Sequence, residues 1–125
     1  MARRGSRTLT EVELAFMHVI WPRGDVGTET VRRALRQRGR DLADGSVRKF
    51  LSILVRKGYL SRKQAGRGFI YSVKVSEGKA KGRMLLDLLK RGFGGSPTRM
   101  FVALLESGVV RRRDLSTIKQ LIAKR

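Results

Sequence analysis

The chain has no cysteine, one histidine, two prolines and only 10 acidic residues against 29 lysines and arginines. Without cysteine, disulfides and thiolate metal sites are excluded, and thiols say nothing about the redox compartment. A single histidine also removes the usual catalytic triads and metal clusters, and the acidic residues are scattered with no paired arrangement. The glycines follow no phosphate-cradling pattern, because Gly66-Arg67-Gly68 lacks both the further glycine and the Lys-Ser/Thr end. These absences argue against an enzyme and against a metal or other cofactor. Long apolar runs are missing too. The longest, Leu14 to Trp21, contains His18 and is far too short to span a bilayer. The opening Met-Ala-Arg-Arg-Gly-Ser-Arg is not followed by a signal-peptide core. The expectation is a cytoplasmic protein with no membrane insertion.

What is present is positive charge, a formal +19 over 125 residues. It is not confined to a tail: 17 cations face 6 anions up to Val75, and 12 face 4 beyond it. Such a balance says little about fold but calls for a polyanionic partner. On charge alone, a non-specific architectural protein coating nucleic acid fits as well as a site-specific binder. The length suits one modest core, or a small domain with a helical appendage.

The most informative stretch is residues 43 to 75. Val47, Phe50, Leu51 and Leu54 recur at i, i+3, i+4 and i+7, the apolar face of a helix. Asp44 is placed to cap its start and Gly58 to end it. Off that face stand Ser46, Arg48, Lys49, Ser52 and Arg56. A hairpin follows, in which Phe69, Tyr71, Val73 and Val75 form the apolar side of an alternating strand and Gly66-Arg67-Gly68 turns the chain. A helix with a polar, cationic outer face beside a hairpin tipped with arginine suits a DNA duplex. The helix fits the major groove and the tip reaches phosphate.

Residues 1–8 read as a basic flexible arm. A strong helix start follows, with Thr10 as N-cap, Glu13 its reciprocal partner, and Leu9 and Leu14 placed as a staple. This first helix should run to about Trp21, with Leu14, Met17, Ile20 and Trp21 inward and Pro22 stopping it. His18 has no carboxylate or second histidine nearby and reads as a surface or boundary residue. Val26 is placed for a short strand. A second helix, capped by Gly27 or Thr28, should reach Gln37 with Val31, Ala34 and Leu35 inward and Arg32, Arg33, Arg36 and Arg38 outward. Together, 9–75 is expected to be a winged helix-turn-helix DNA-binding domain.

Residues 76–125 read as three helices. The first, capped by Ser76, is expected to end near Arg91, where Gly92-Phe93-Gly94-Gly95 breaks it. Ser96 then caps a helix with Pro97 at its first position, closed by Gly108, and a last helix begins near Asp114. Their apolar load is large for about fifty residues, and we read it as a dimerisation unit. Symmetric operators are read by two-fold dimers. The interface is expected to use Leu85, Leu88, Leu89 and Phe93 from the first helix. The second would supply Met100, Phe101, Leu104 and Leu105, and the third Leu115, Ile118, Leu121 and Ile122. The fold class is thus mainly α with a small antiparallel β wing: a winged helix plus a C-terminal three-helix dimerisation domain.

Several stretches together resemble the penicillinase-repressor family, which includes the methicillin-resistance and copper-transport-operon repressors. They are Leu9-Thr-Glu-Val-Glu-Leu-Ala-Phe-Met-His-Val-Ile-Trp21, Ser46-Val-Arg-Lys-Phe-Leu-Ser52, Lys57-Gly-Tyr-Leu60, Gly66-Arg-Gly-Phe-Ile-Tyr71, Gly94-Gly-Ser-Pro97 and Ala103-Leu-Leu-Glu-Ser107. The resemblance implies a homodimer that represses transcription by occupying an inverted repeat. It also implies, from relatives that control β-lactam resistance, a sensor-linked protease as a partner. Three departures stand out. Ile53 occupies a position where relatives commonly carry arginine. Ala103-Leu104 stands near where an Asn-Phe cleavage pair is expected. The cysteine cluster of copper-responsive members is absent. On this reading Ser46, Arg48, Lys49 and Ser52 face the bases, with Arg48 the first choice for a bidentate guanine contact. Arg32, Arg56, Arg62, Lys63 and Arg67 are assigned to phosphate, and Thr28, near a helix N-terminus, joins them.

Overall fold

A computed structural model of the chain describes residues 8–125. The basic arm expected over 1–8 therefore lies, Thr8 apart, outside the described residues. Helix α1 (Glu11–Ile20) opens with the expected reciprocal cap. The Glu13 amide donates to the Thr10 hydroxyl at 3.2 Å, and the Thr10 amide donates to the Glu13 carboxylate at 3.0 Å. Its buried side is broader than the periodicity suggests. Phe16 and Val19 are buried with Met17 and Ile20, whereas Leu14 and Trp21 are only half-buried. Trp21 forms the C-cap, and its indole N–H donates to the Val75 carbonyl at 3.0 Å, which fixes the chain after the wing. His18 is half-buried against Trp21, ring centroids 5.7 Å apart.

Strand β1 (Val26–Gly27) leads directly into helix α2 (Thr28–Gln37), whose N-cap is Gly27 and whose inward residues are Val31, Ala34 and Leu35. Helix α3 (Asp44–Arg56) buries Val47, Leu51 and Leu54, while Phe50 is half-buried with its ring 5.4 Å from that of Phe16. Asp44 is not the N-cap. Ala43 is the last extended residue and offers no side-chain cap, so the Asp44 carboxylate starts one position inside the helix and reaches Arg48 instead. The other end closes as a Schellman motif. The Tyr59 amide donates to Leu54 O at 2.9 Å and the Gly58 amide to Val55 O at 3.0 Å, with Gly58 at φ +88°. Tyr59 and Leu54 are both fully buried, the hydrophobic contact that usually accompanies this closure.

Strands β2 (Leu60–Ala65) and β3 (Gly68–Val73) form the wing, and the antiparallel sheet runs β1-β3-β2. Ala65 pairs with Gly68 across a two-residue turn in which only Gly66 has positive φ, +62°, the glycine-first arrangement of a II′ hairpin. The order helix, short strand, helix, helix, hairpin is a winged helix, mainly α with a small antiparallel sheet.

Helix α4 (Glu77–Phe93) begins under Ser76, whose hydroxyl accepts from the Lys79 amide at 3.2 Å. It runs through Gly92 and Phe93, beyond the expected stop near Arg91. Gly94 and Gly95, at φ +58° and +80°, end it, because only there does the backbone leave the helical region. Helix α5 (Pro97–Glu106) has Ser96 as N-cap and proline in its first turn, and Gly108 follows it at φ +82°. Helix α6 (Arg112–Ala123) starts two residues before Asp114, which accepts from the Arg111 amide at 2.8 Å and so draws the helix start back.

The chain divides into two compact units, one ending at Met84 and the other spanning Leu85–Arg125. In the first, α1, α2, α3 and the sheet enclose one apolar core that also takes in Val75 and Ala80. One ionic contact lies at its edge. The Lys57 ammonium donates to the Glu13 carboxylate at 2.7 Å and to the Thr8 carbonyl at 3.1 Å, and the two side chains are 14% and 5% exposed. Lys57 is the C-cap of α3 and Glu13 the capping partner of α1, so this pair ties the end of one helix to the start of another.

Candidate nucleic-acid interface

Burial of Val47, Leu51 and Leu54 dictates which side of α3 faces out. Arg48, Lys49 and Arg56 are exposed there, and Ser46 and Ser52 are half-buried. Arg48 and Ser52 stand one turn apart and share a concavity of about 280 Å³ with Thr28, Arg62, Arg67, Gly68, Phe69 and Tyr71. Three guanidinium-bearing residues and no carboxylate line it. Five of the ten side chains that the sequence assigns to DNA therefore meet in one depression between α3, the start of α2 and the wing.

The wing register explains how Arg62 arrives there. Arg62 pairs with Tyr71 and Lys63 with Ile70, so successive side chains take opposite faces. Arg62 shares its face with buried Tyr71 and with Phe69. Its guanidinium lies 4.4 Å from the Phe69 ring centroid and donates to the Ser52 hydroxyl at 3.2 Å. That pair of contacts ties the wing to the middle of α3. Arg67 sits at the turn itself.

Phe69 departs from the sequence reading. Expected on the buried side of the strand, it is 37% exposed, because the hairpin extends past the core at that end and the ring meets Arg62 rather than the helices. The signal was present in the spacing: a two-residue turn at Gly66-Arg67 puts Gln64 opposite Phe69, and therefore Arg62 diagonal to it.

The remaining predicted residues lie elsewhere. Arg32 is only 30% exposed at its side chain; its Nε donates to the Leu42 carbonyl at 3.3 Å, and it pairs with Glu29 at 3.3 Å. It braces the loop between α2 and α3. Lys63 occupies the far face of the wing, and Ser46, Lys49 and Arg56 lie on α3 outside the concavity. Arg48 itself is 68% exposed and ion-paired to Asp44, Nε to Oδ2, at 2.9 Å. No group of three or more His, Asp or Glu suited to a metal ion occurs among the described residues.

The Leu85–Arg125 unit presents a different surface. Neither α5 nor α6 has a buried residue. Leu85, Leu88, Phe101, Leu104, Leu105, Leu115, Leu121 and Ile122 are exposed, and Leu89, Phe93, Met100 and Ile118 are half-buried. Leu86, Val102 and Val109, which the sequence reading did not assign to an interface, are exposed as well. An apolar groove of about 250 Å³ runs between Leu85, Leu86 and Leu89 on one side and Pro97, Met100, Phe101 and Leu104 on the other.

Comparison with known proteins agrees with this architecture. A family profile described as penicillinase repressor matches residues 9–124. The penicillinase repressor of Bacillus licheniformis is 23% identical over 114 residues, 91% of this chain and 88% of that protein. Among solved structures, the DNA-binding domain of the repressor BlaI matches at TM-score 0.52 and 25% identity, covering 63% of this chain and 93% of that one. RosR of H. salinarum matches at TM-score 0.53 and 16% identity over 95% of this chain and 94% of its own, a likeness of fold.

Proposed function

The chain belongs to the penicillinase-repressor family, and from that premise we propose that it is a sequence-specific transcriptional repressor, binding an inverted-repeat operator as a homodimer in the cytoplasm. The observation that carries the reading is the concavity where Arg48 and Ser52 of α3 meet Arg62 and Arg67 of the wing. An α-helix fits the major groove of B-DNA, and its outward side chains then face base edges. In this placement Ser46, Arg48, Lys49 and Ser52 face the bases. Arg56, Arg62, Arg67 and the amide end of α2 at Thr28 lie against phosphate and fix the register. Arg32 and Lys63 take a lesser part, the first because its guanidinium is engaged inside the domain, the second because it is on the far face of the wing. Family and fold are those of DNA-binding repressors, and no helix among the described residues is long and apolar enough to cross a membrane.

The homodimer rests on the apolar surface of the Leu85–Arg125 unit. Burying one Leu or Phe side chain is worth roughly 1.5–3 kcal/mol. A dozen such residues, counted over two copies, exceed the cost of association, roughly 4–15 kcal/mol. Leaving so many exposed in a monomer is unusual for a soluble chain. A sensor-linked protease, the partner implied by β-lactam-responsive relatives, lacks its Asn-Phe target at Ala103-Leu104, so cleavage is not part of this reading.

Selection of bound duplexes from a random pool tests the function. Recovery of a two-fold symmetric site that survives a large excess of random duplex at physiological salt supports the repressor. A pool that stays unenriched means that the +19 charge is used for non-specific coating instead.

A further inference from the structure

Asp44 is the one carboxylate on α3, and it stands in the first turn, at the end that leads a recognition helix into a groove lined with phosphate. A negative charge there opposes binding to a polyanion, and it does not serve as the helix cap. Its partner is Arg48, held Nε to Oδ2 at 2.9 Å, with side-chain exposures of 51% for Asp44 and 68% for Arg48. A guanidinium offers two pairs of parallel N–H groups, one including Nε and one formed by the two terminal nitrogens. With the carboxylate beside Nε, the terminal pair is left for another partner, and that fork matches O6 and N7 of guanine. The same carboxylate makes the Asp44–Arg48 unit close to neutral, so it gains little from a bare phosphate. Arg62 of the wing is engaged by Ser52 and the Phe69 ring, and the ion-pair partner of Asp44 is Arg48.

We propose that Asp44 is a specificity-determining positioning residue: it aims the Arg48 guanidinium at guanine and withholds it from phosphate. The inference rests on the reading above, that α3 faces the bases. It gives a physical reason for an acid at the front of a basic helix. Arg48 then contributes to selected sites and much less to random ones.

The test uses the full chain, the duplex recovered by selection, and a random duplex of equal length. Asp44→Asn removes the charge and keeps the side-chain shape at an exposed position. The ratio of operator to random affinity should fall about tenfold, within the range for one bidentate base contact. Random-duplex binding should tighten and its salt dependence steepen by about one phosphate contact. In an Arg48→Ala background, the same change should shift both duplexes by one factor and leave their ratio alone. Three outcomes overturn the proposal. If Asp44→Asn keeps the ratio while Arg48→Ala lowers it, Arg48 reads bases without help from Asp44. If the ratio falls equally with and without Arg48, Asp44 acts through some other group. If Arg48→Ala itself leaves the ratio unchanged, the base-reading assignment fails and the proposal fails with it.

Discussion

Replacing Lys57 by methionine should destabilise the first unit far more than its place at a helix end suggests. Glu13 is 5% exposed and depends on the Lys57 ammonium at 2.7 Å, with the Thr10 amide at 3.0 Å as its other donor. Breaking a buried ion pair from one side costs about 3–5 kcal/mol, because a charge is left in a poorly solvated place. Lys57 keeps 14% exposure and Glu13 keeps its amide donor, so about 3 kcal/mol is expected, the low end of that range. For a urea slope of about 2 kcal/mol/M, the midpoint should fall by about 1.5 M. Glu13→Gln should cost less, about 1 kcal/mol, since glutamine preserves the reciprocal cap and the freed lysine can turn its ammonium to water. The double variant should recover at least about 1 kcal/mol relative to Lys57→Met alone, as no unpaired charge remains. Urea unfolding at fixed protein concentration, followed through Trp21 fluorescence, measures all three. A loss below about 0.5 kcal/mol for Lys57→Met, the level of a surface pair, refutes the reasoning. So does strict additivity in the double variant.

Three further outcomes are expected. Leu104→Glu, in the exposed apolar surface of the C-terminal unit, should raise the dimer dissociation constant more than about a hundredfold, from roughly 3 kcal/mol lost over two copies, while the wing domain stays folded by circular dichroism. Arg67→Ala at the wing tip should weaken operator and random duplex alike and lower the salt slope by about one, read by fluorescence anisotropy across a salt series. Gly58→Ala should destabilise the protein by about 1–2 kcal/mol in the same urea assay, because φ of +88° is open to glycine and strained for alanine even though no neighbour lies within 4 Å of the added methyl.

Local chemistry made much of this fold legible. The Thr10–Glu13 box, the Gly58 closure, the Val31–Ala34–Leu35 stripe and the Ser96–Pro97 start each need only a few adjacent residues to agree, and each stands where the spacing places it. What escaped depends on contacts distant in sequence. Glu13 reads as a cap but is also half of a pair with Lys57, 44 residues away. Phe16 and Val19 widen the buried side of α1 because α2 and α3 pack against it, which no single-helix pattern reveals. Asp44 stands one residue inside the helix rather than at its cap, which makes it an ion-pair partner of Arg48. In the candidate interface, Arg48, Ser52, Arg62, Arg67 and Thr28 can be named from their elements, but their meeting in one concavity depends on wing register. That register also exposes Phe69 and sends Lys63 away.

The mass of the complex formed with the duplex recovered by selection, determined by sedimentation equilibrium at physiological salt, tests the central claim most directly. Two copies of the chain on each duplex, reached cooperatively and not exceeded as protein is added, is the predicted result. A single copy that never pairs, or a count that keeps rising with the length of duplex offered, contradicts it.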